Sequence, residues 1–66
     1  MRVEDLNQII IVNGYDEHVY SQPTKDDVKA ISLEFDLDED ELKALIKRQG
    51  RETKVLLIDA DLFREP

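Results

Sequence analysis

The chain has no cysteine, one histidine, no apolar run longer than four residues, and only nine basic residues against sixteen acidic ones. Each shortage removes a class of explanation. Without cysteine there is neither a disulfide framework nor a thiolate metal site, so the fold must hold by packing, with self-association as a further source of stability. A reducing, cytoplasmic setting fits that composition. The first residues, MRVEDLNQIIIVNG, contain one arginine followed by acids, and their apolar run from Ile9 to Val12 is far too short for a signal or membrane segment. No membrane role is expected. His18 has no second ligand at metal spacing and no activated nucleophile to serve, so neither a zinc site nor a catalytic triad can be assembled around it.

What is present bounds the rest. Sixty-six residues make one domain, near the size at which a single core only just suffices, which argues against a large catalytic cleft and for a non-enzymatic role. Charged residues are 38% of the chain and hydrophobic ones 41%, enough to fold while leaving a highly charged surface. The formal charge of −7 repels phosphate backbones and anionic lipid and favours encounter with basic proteins, although it also serves the solubility of a small domain.

The segment QIIIV, Asn13-Gly14, YDEHVY carries a strong hairpin signal, because a two-residue turn with positive φ is best tolerated by Asn-Gly. The hairpin is expected over residues 7–20, with Val12 opposite Tyr15, Ile10 opposite Glu17 and Gln8 opposite Val19 on one face, and Ile11 opposite Asp16 and Ile9 opposite His18 on the other. Neither face is purely apolar in that register, so the buried one stays open. A helix is expected over 24–35, with Thr24 as N-cap, Asp27 in the reciprocal position and Val28, Ile31, Ser32 and Phe35 on one face. A second spans 38–49, capped by Asp38 with Glu41, faced by Leu42, Leu45 and Ile46, and stopped by Lys47, Arg48 and Gly50. The run TKVLLI begins a third strand, expected over 53–63 and central in the sheet, with Leu56, Ile58, Ala60 and Leu62 on one face. The order ββααβ predicts an α+β domain: two helices on a three-stranded antiparallel sheet, with an edge strand free for homodimerisation.

The helix pair resembles a helix-turn-helix at motif level. Ser32 holds the small position in the first helix, Phe35 the apolar position before the turn, Asp36-Leu37 the turn, and Leu42 and Leu45 the anchors that follow. The resemblance covers about 20 residues and departs from the motif in having Ser at the small position and Asp36 where glycine is common. It implies a second helix that reads the DNA major groove. Charge opposes that role, since the helix would present Glu39, Asp40 and Glu41 to phosphate-flanked base edges. From residue 24 to 46 eight acids stand against three lysines, a local charge of −5, whereas Lys47, Arg48, Arg51 and Lys54 against Glu52 make 47–54 a small basic patch of +3.

Two other acidic patterns are weaker. Asp36, Asp38 and Asp40 mimic the first ligand positions of a calcium loop, but Glu41 stands where glycine is needed and Lys47 where the bidentate Glu belongs. Asp59 and Asp61 resemble the paired carboxylates that hold magnesium at strand ends, yet no phosphate-cradling glycine loop accompanies them. No metal and no cofactor are expected. The leading expectation is an adaptor or inhibitor that offers Asp36, Glu39, Asp40 and Glu41, with Leu37 and Tyr15 as apolar anchors, to a basic surface of a partner protein. The alternative is a small dimeric DNA-binding regulator using Lys47, Arg48, Arg51 and Lys54.

Overall fold

The computed structural model describes residues 2–50 and 52–64. A 3-10 turn at Val3–Asp5 leads into β1 (Gln8–Asn13) and β2 (Asp16–Ser21), followed by α1 (Lys25–Glu34), α2 (Glu39–Arg48), β3 (Val55–Asp59) and α3 (Ala60–Arg64). The sheet order is β2-β1-β3, so β1, rather than the third strand, is central. β1 pairs antiparallel with β2 and parallel with β3, which makes the sheet mixed and not antiparallel throughout. The chain path explains the direction: two helices in a hairpin return the chain to the end of the sheet that β2 left. A strand laid beside β1 from there runs with it.

The hairpin forms, in a register different from the expected one. Asn13 pairs with Asp16, so the loop residues are Gly14 and Tyr15. Gly14 has φ +66° and Tyr15 is not in the positive region, the pattern of a II′ turn, which needs glycine only at its first loop position. Ile11 then faces His18, Ile9 faces Tyr20 and Ile10 faces Val19. Relative to the expected pairing β2 slides by two residues, which keeps every side chain on its face. Ile9 and Ile11 point to the helices and are fully buried, with His18 and Tyr20 half-buried beside them.

The helix caps follow the sequence. Thr24 and Asp27 exchange bonds, the Thr24 N–H donating to Asp27 Oδ2 at 2.8 Å and the Asp27 N–H to Thr24 Oγ1 at 3.3 Å. Asp38 Oδ1 accepts from the Glu41 N–H at 3.0 Å, but the Glu41 carboxylate does not return the reciprocal bond, so this cap is one-sided. α2 ends at Arg48, and Gly50 does not adopt the left-handed conformation expected of a stop glycine. The core joins Leu6, Ile9, Ile11, Leu56 and Ile58 to Val28, Ile31, Phe35, Leu42 and Ile46. Ser32 is buried too, its hydroxyl donating to the Lys29 carbonyl at 2.7 Å.

The third strand is shorter than 53–63. Asp59 ends it, because Asp59 Oδ1 accepts from the Asp61 and Leu62 N–H groups at 3.0 and 3.3 Å and thereby caps a helical turn. Ala60 remains buried with Leu56 and Ile58, while Leu62 is 67% exposed because the helical turn takes it off the strand's alternation.

Candidate functional site

The acidic start of α2 is positioned by how α1 ends. Phe35 is the last residue of the α1 cap, Asp36 takes the left-handed conformation at φ 55°, and the Leu37 N–H donates to the Ser32 carbonyl at 2.9 Å. This is the closure normally made with glycine at the left-handed position. It turns the Asp36 side chain to solvent and folds Leu37 into the core, 6% exposed. Leu37 therefore packs with the core cluster and not on the surface beside the acids.

The acids of the first turn face two ways. Glu39 is half-buried and pairs with Lys43 one turn on, Nζ to Oε2 at 2.8 Å. The Lys43 ammonium is held above its ordinary range by that hydrogen bond and by the Glu39 charge, with a smaller contribution from Asp40. Asp36, Asp40 and Glu41 are exposed and form no ion pair among the described residues. Outward charge is thus carried by these three and by Asp38, whose carboxylate is shared with the cap.

Glu39 also lines a feature that sequence reasoning missed. Between α1 and α2 lies an open cleft of about 510 Å³, floored by Val28 and Ile46 and bordered by Lys25, Lys29 and Lys43. The signal for it was the spacing: Lys25 and Lys29 share a face of α1 at i,i+4, as Glu39 and Lys43 do on α2.

Tyr15 projects from the hairpin tip, fully exposed. His18 packs edge-on against Phe35 with ring centroids 4.9 Å apart, and Tyr15 lies three strand residues further, roughly 10 Å along the hairpin. His18 is thus a half-buried packing residue. Of the basic set, Lys47 and Arg48 are exposed on the last turn of α2, Lys54 is exposed just ahead of β3, and Arg51 lies outside the described residues.

Among the described residues no group of three or more His, Asp or Glu side chains could hold a metal ion, and no helix is long and apolar enough to cross a membrane. Asp36, Asp38 and Asp40 occupy a left-handed turn, a cap and a helical turn in succession and do not converge as calcium ligands would. Asp59 caps α3, and Asp61 pairs with Arg64 at 2.7 Å. Arg64 also reaches Asn13 Oδ1 at 3.3 Å, tying α3 to the end of β1. Comparison with protein-family models, with curated proteins and with solved structures returns no match.

Proposed function

We propose that the chain is a non-enzymatic protein-interaction module, an adaptor or inhibitor, that docks the acidic turn and first helical turn at Asp36, Asp40 and Glu41 on a basic surface of a partner protein. The observation that carries this reading is the exposure of those three carboxylates with no cation paired to them among the described residues. A net charge of −7 adds long-range steering toward a positive surface. Glu39 belongs to the surface only in part, because Lys43 neutralises it. A nucleic-acid-handling partner suits the charge best, since its phosphate-binding surface already complements carboxylates. Tyr15, exposed at the hairpin tip, is an apolar residue open to such a contact.

The triple variant Asp36→Asn, Asp40→Asn, Glu41→Gln tests the reading while leaving the Glu39 pair and the Asp38 cap intact. Proteins captured from host lysate by the native chain are expected to be lost with the variant. With the captured partner in hand, association should slow about tenfold at low salt and its salt dependence should flatten. Capture of the same proteins at the same rate by both chains would sink the proposal. A gel shift with mixed duplex DNA at about 50 mM salt is expected to be blank; a shift that disappears on removing Lys47, Arg48 and Lys54 would favour the DNA-binding alternative.

A further inference from the structure

The two edges of the sheet are built differently. β2 begins with Asp16 and Glu17, whereas β3 reads Val-Leu-Leu-Ile-Asp, with no proline, no charge before its last residue and no break in its pairing with β1. Edge strands usually carry a charge, a proline or a bulge that blocks further pairing. β3 lacks all three over its first four residues. The Gln8 N–H donates to the Lys54 carbonyl at 3.3 Å. Bonded residues alternate along a parallel ladder, so Leu56 and Ile58 turn their backbone groups to β1 while Val55, Leu57 and Asp59 turn theirs to the open edge. Leu57 is 64% exposed there. Along the same edge runs an open trough of about 480 Å³ lined by Asp59 and by apolar side chains that include Val12, Leu45, Leu57, Leu62 and Phe63.

We propose that β3 pairs antiparallel with β3 of a second copy of this chain, centred on Leu57, to give one six-stranded sheet of order β2-β1-β3-β3′-β1′-β2′. Register is the first reason that the occupant is a second copy. With Leu57 opposite its counterpart, Val55 faces Asp59 of the other chain, so outward backbone groups meet outward groups and no acid faces an acid. Charge is the second. Lys54 stands just ahead of β3 and Asp59 closes it, so antiparallel pairing sets the basic end of one strand beside the acidic end of the other. Parallel pairing would align acid with acid. The third reason is closure: a two-fold axis at Leu57 sets the trough of one copy against that of the other, as an isologous interface requires. The apolar row Val19, Ile10, Leu57, formed by cross-strand partners in register, then runs on through Leu57, Ile10 and Val19 of the second copy.

Sedimentation equilibrium and amide exchange over a concentration series test this. The native chain is expected to dimerise reversibly, with the Leu57 amide gaining protection as concentration rises and the Leu56 and Ile58 amides unchanged. Leu57→Lys places like charges opposite each other at the axis and should raise the dissociation constant at least about tenfold. Far-UV circular dichroism should show this variant folded, since the side chain is exposed. Val19→Lys, equally apolar in origin but on β2 at the opposite edge, two strands from β3, should leave the dimer unchanged. A native chain that stays monomeric to its solubility limit overturns the proposal. So does a dimer that Val19→Lys dissolves and Leu57→Lys does not, which would put the contact on the open sheet face. Protection of Leu57 only when a foreign extended peptide is added would assign the edge to a different occupant and overturn it as well.

Discussion

Ile9 and Ile10 are adjacent, identical in chemistry and opposite in environment. Ile9, with Ile11, lies on the sheet face covered by α1 and α2 and is fully buried, whereas Ile10 lies on the other face and is only half-buried, in a row with Val19 at 56% and Leu57 at 64% exposure. Alternation along a strand makes this division unavoidable. Its cause is size: 66 residues supply two helices of ten residues, which cover one face of three strands and leave none for the other. The inner face therefore specifies the fold, while the outer face and the β3 edge hold apolar surface that the fold does not use.

The sharpest test of this division truncates neighbours. Ile11→Ala removes a fully buried side chain beneath the helices and should cost about 2–5 kcal/mol, from lost transfer energy and the cavity left behind. Ile10→Ala should cost about 1 kcal/mol or less, because that side chain is already partly in water. Urea unfolding of both variants reads the difference directly. Equal losses would mean that the outer face is covered in solution, and a concentration-dependent loss would say by what.

Tyr20 marks the rim of the inner face and gives the next effect in size. Its hydroxyl donates to Glu34 Oε2 at 3.1 Å. Burial, that hydrogen bond and the negative charges of Glu34 and Asp27 together hold the phenol above its ordinary value of 10.0. A phenol that ionises less readily in the folded state contributes stability that is complete below pH 10.0 and fades as pH rises through the elevated folded value. Tyr20→Phe should cost about 0.5 kcal/mol near neutrality, the low end for a solvent-accessible hydrogen bond. It should also remove that part of the alkaline loss. Thermal unfolding on either side of pH 10.0, native against variant, checks both expectations.

These contrasts track what could be read from the residues. Local devices were legible: the Thr24–Asp27 box, the Asp38 cap, and a hairpin at Gly14, because each depends on a few neighbouring side chains. Non-local choices were not. Asn13-Gly14 and Gly14-Tyr15 are both acceptable loops, and the second, which the structure adopts, sets Ile9 opposite Tyr20 and Ile11 opposite His18 beneath the helices. The parallel pairing of β3 depends on where the helix hairpin delivers the chain, which no window of residues contains. Alternation of Leu56, Ile58, Ala60 and Leu62 carries the expected strand through Asp59, although Asp-x-Asp-Leu is also a cap followed by a turn, and hydrogen bonding decides between them. At the candidate site the acids were plain, but the burial of Leu37 follows from the left-handed Asp36, and the neutralisation of Glu39 was available in its i,i+4 spacing to Lys43.

The smallest expected effect is the most discriminating for the outer face. Val19→Thr keeps the β-branched shape that suits a strand and exchanges one methyl for a hydroxyl at a position 56% exposed in the monomer. On an open face the hydroxyl stays hydrated, so stability should change by no more than about 0.5 kcal/mol. Beneath a covering element the same hydroxyl would lose its water without gaining a partner, and the cost would rise to about 1–3 kcal/mol. Chemical unfolding of Val19→Thr at low and high protein concentration therefore separates three situations: an open face gives a small change at both, a face covered within one chain gives a large change at both, and a face covered by association gives a change that grows with concentration. Only the first is compatible with pairing through the β3 edge, because that arrangement extends the open face and leaves it uncovered.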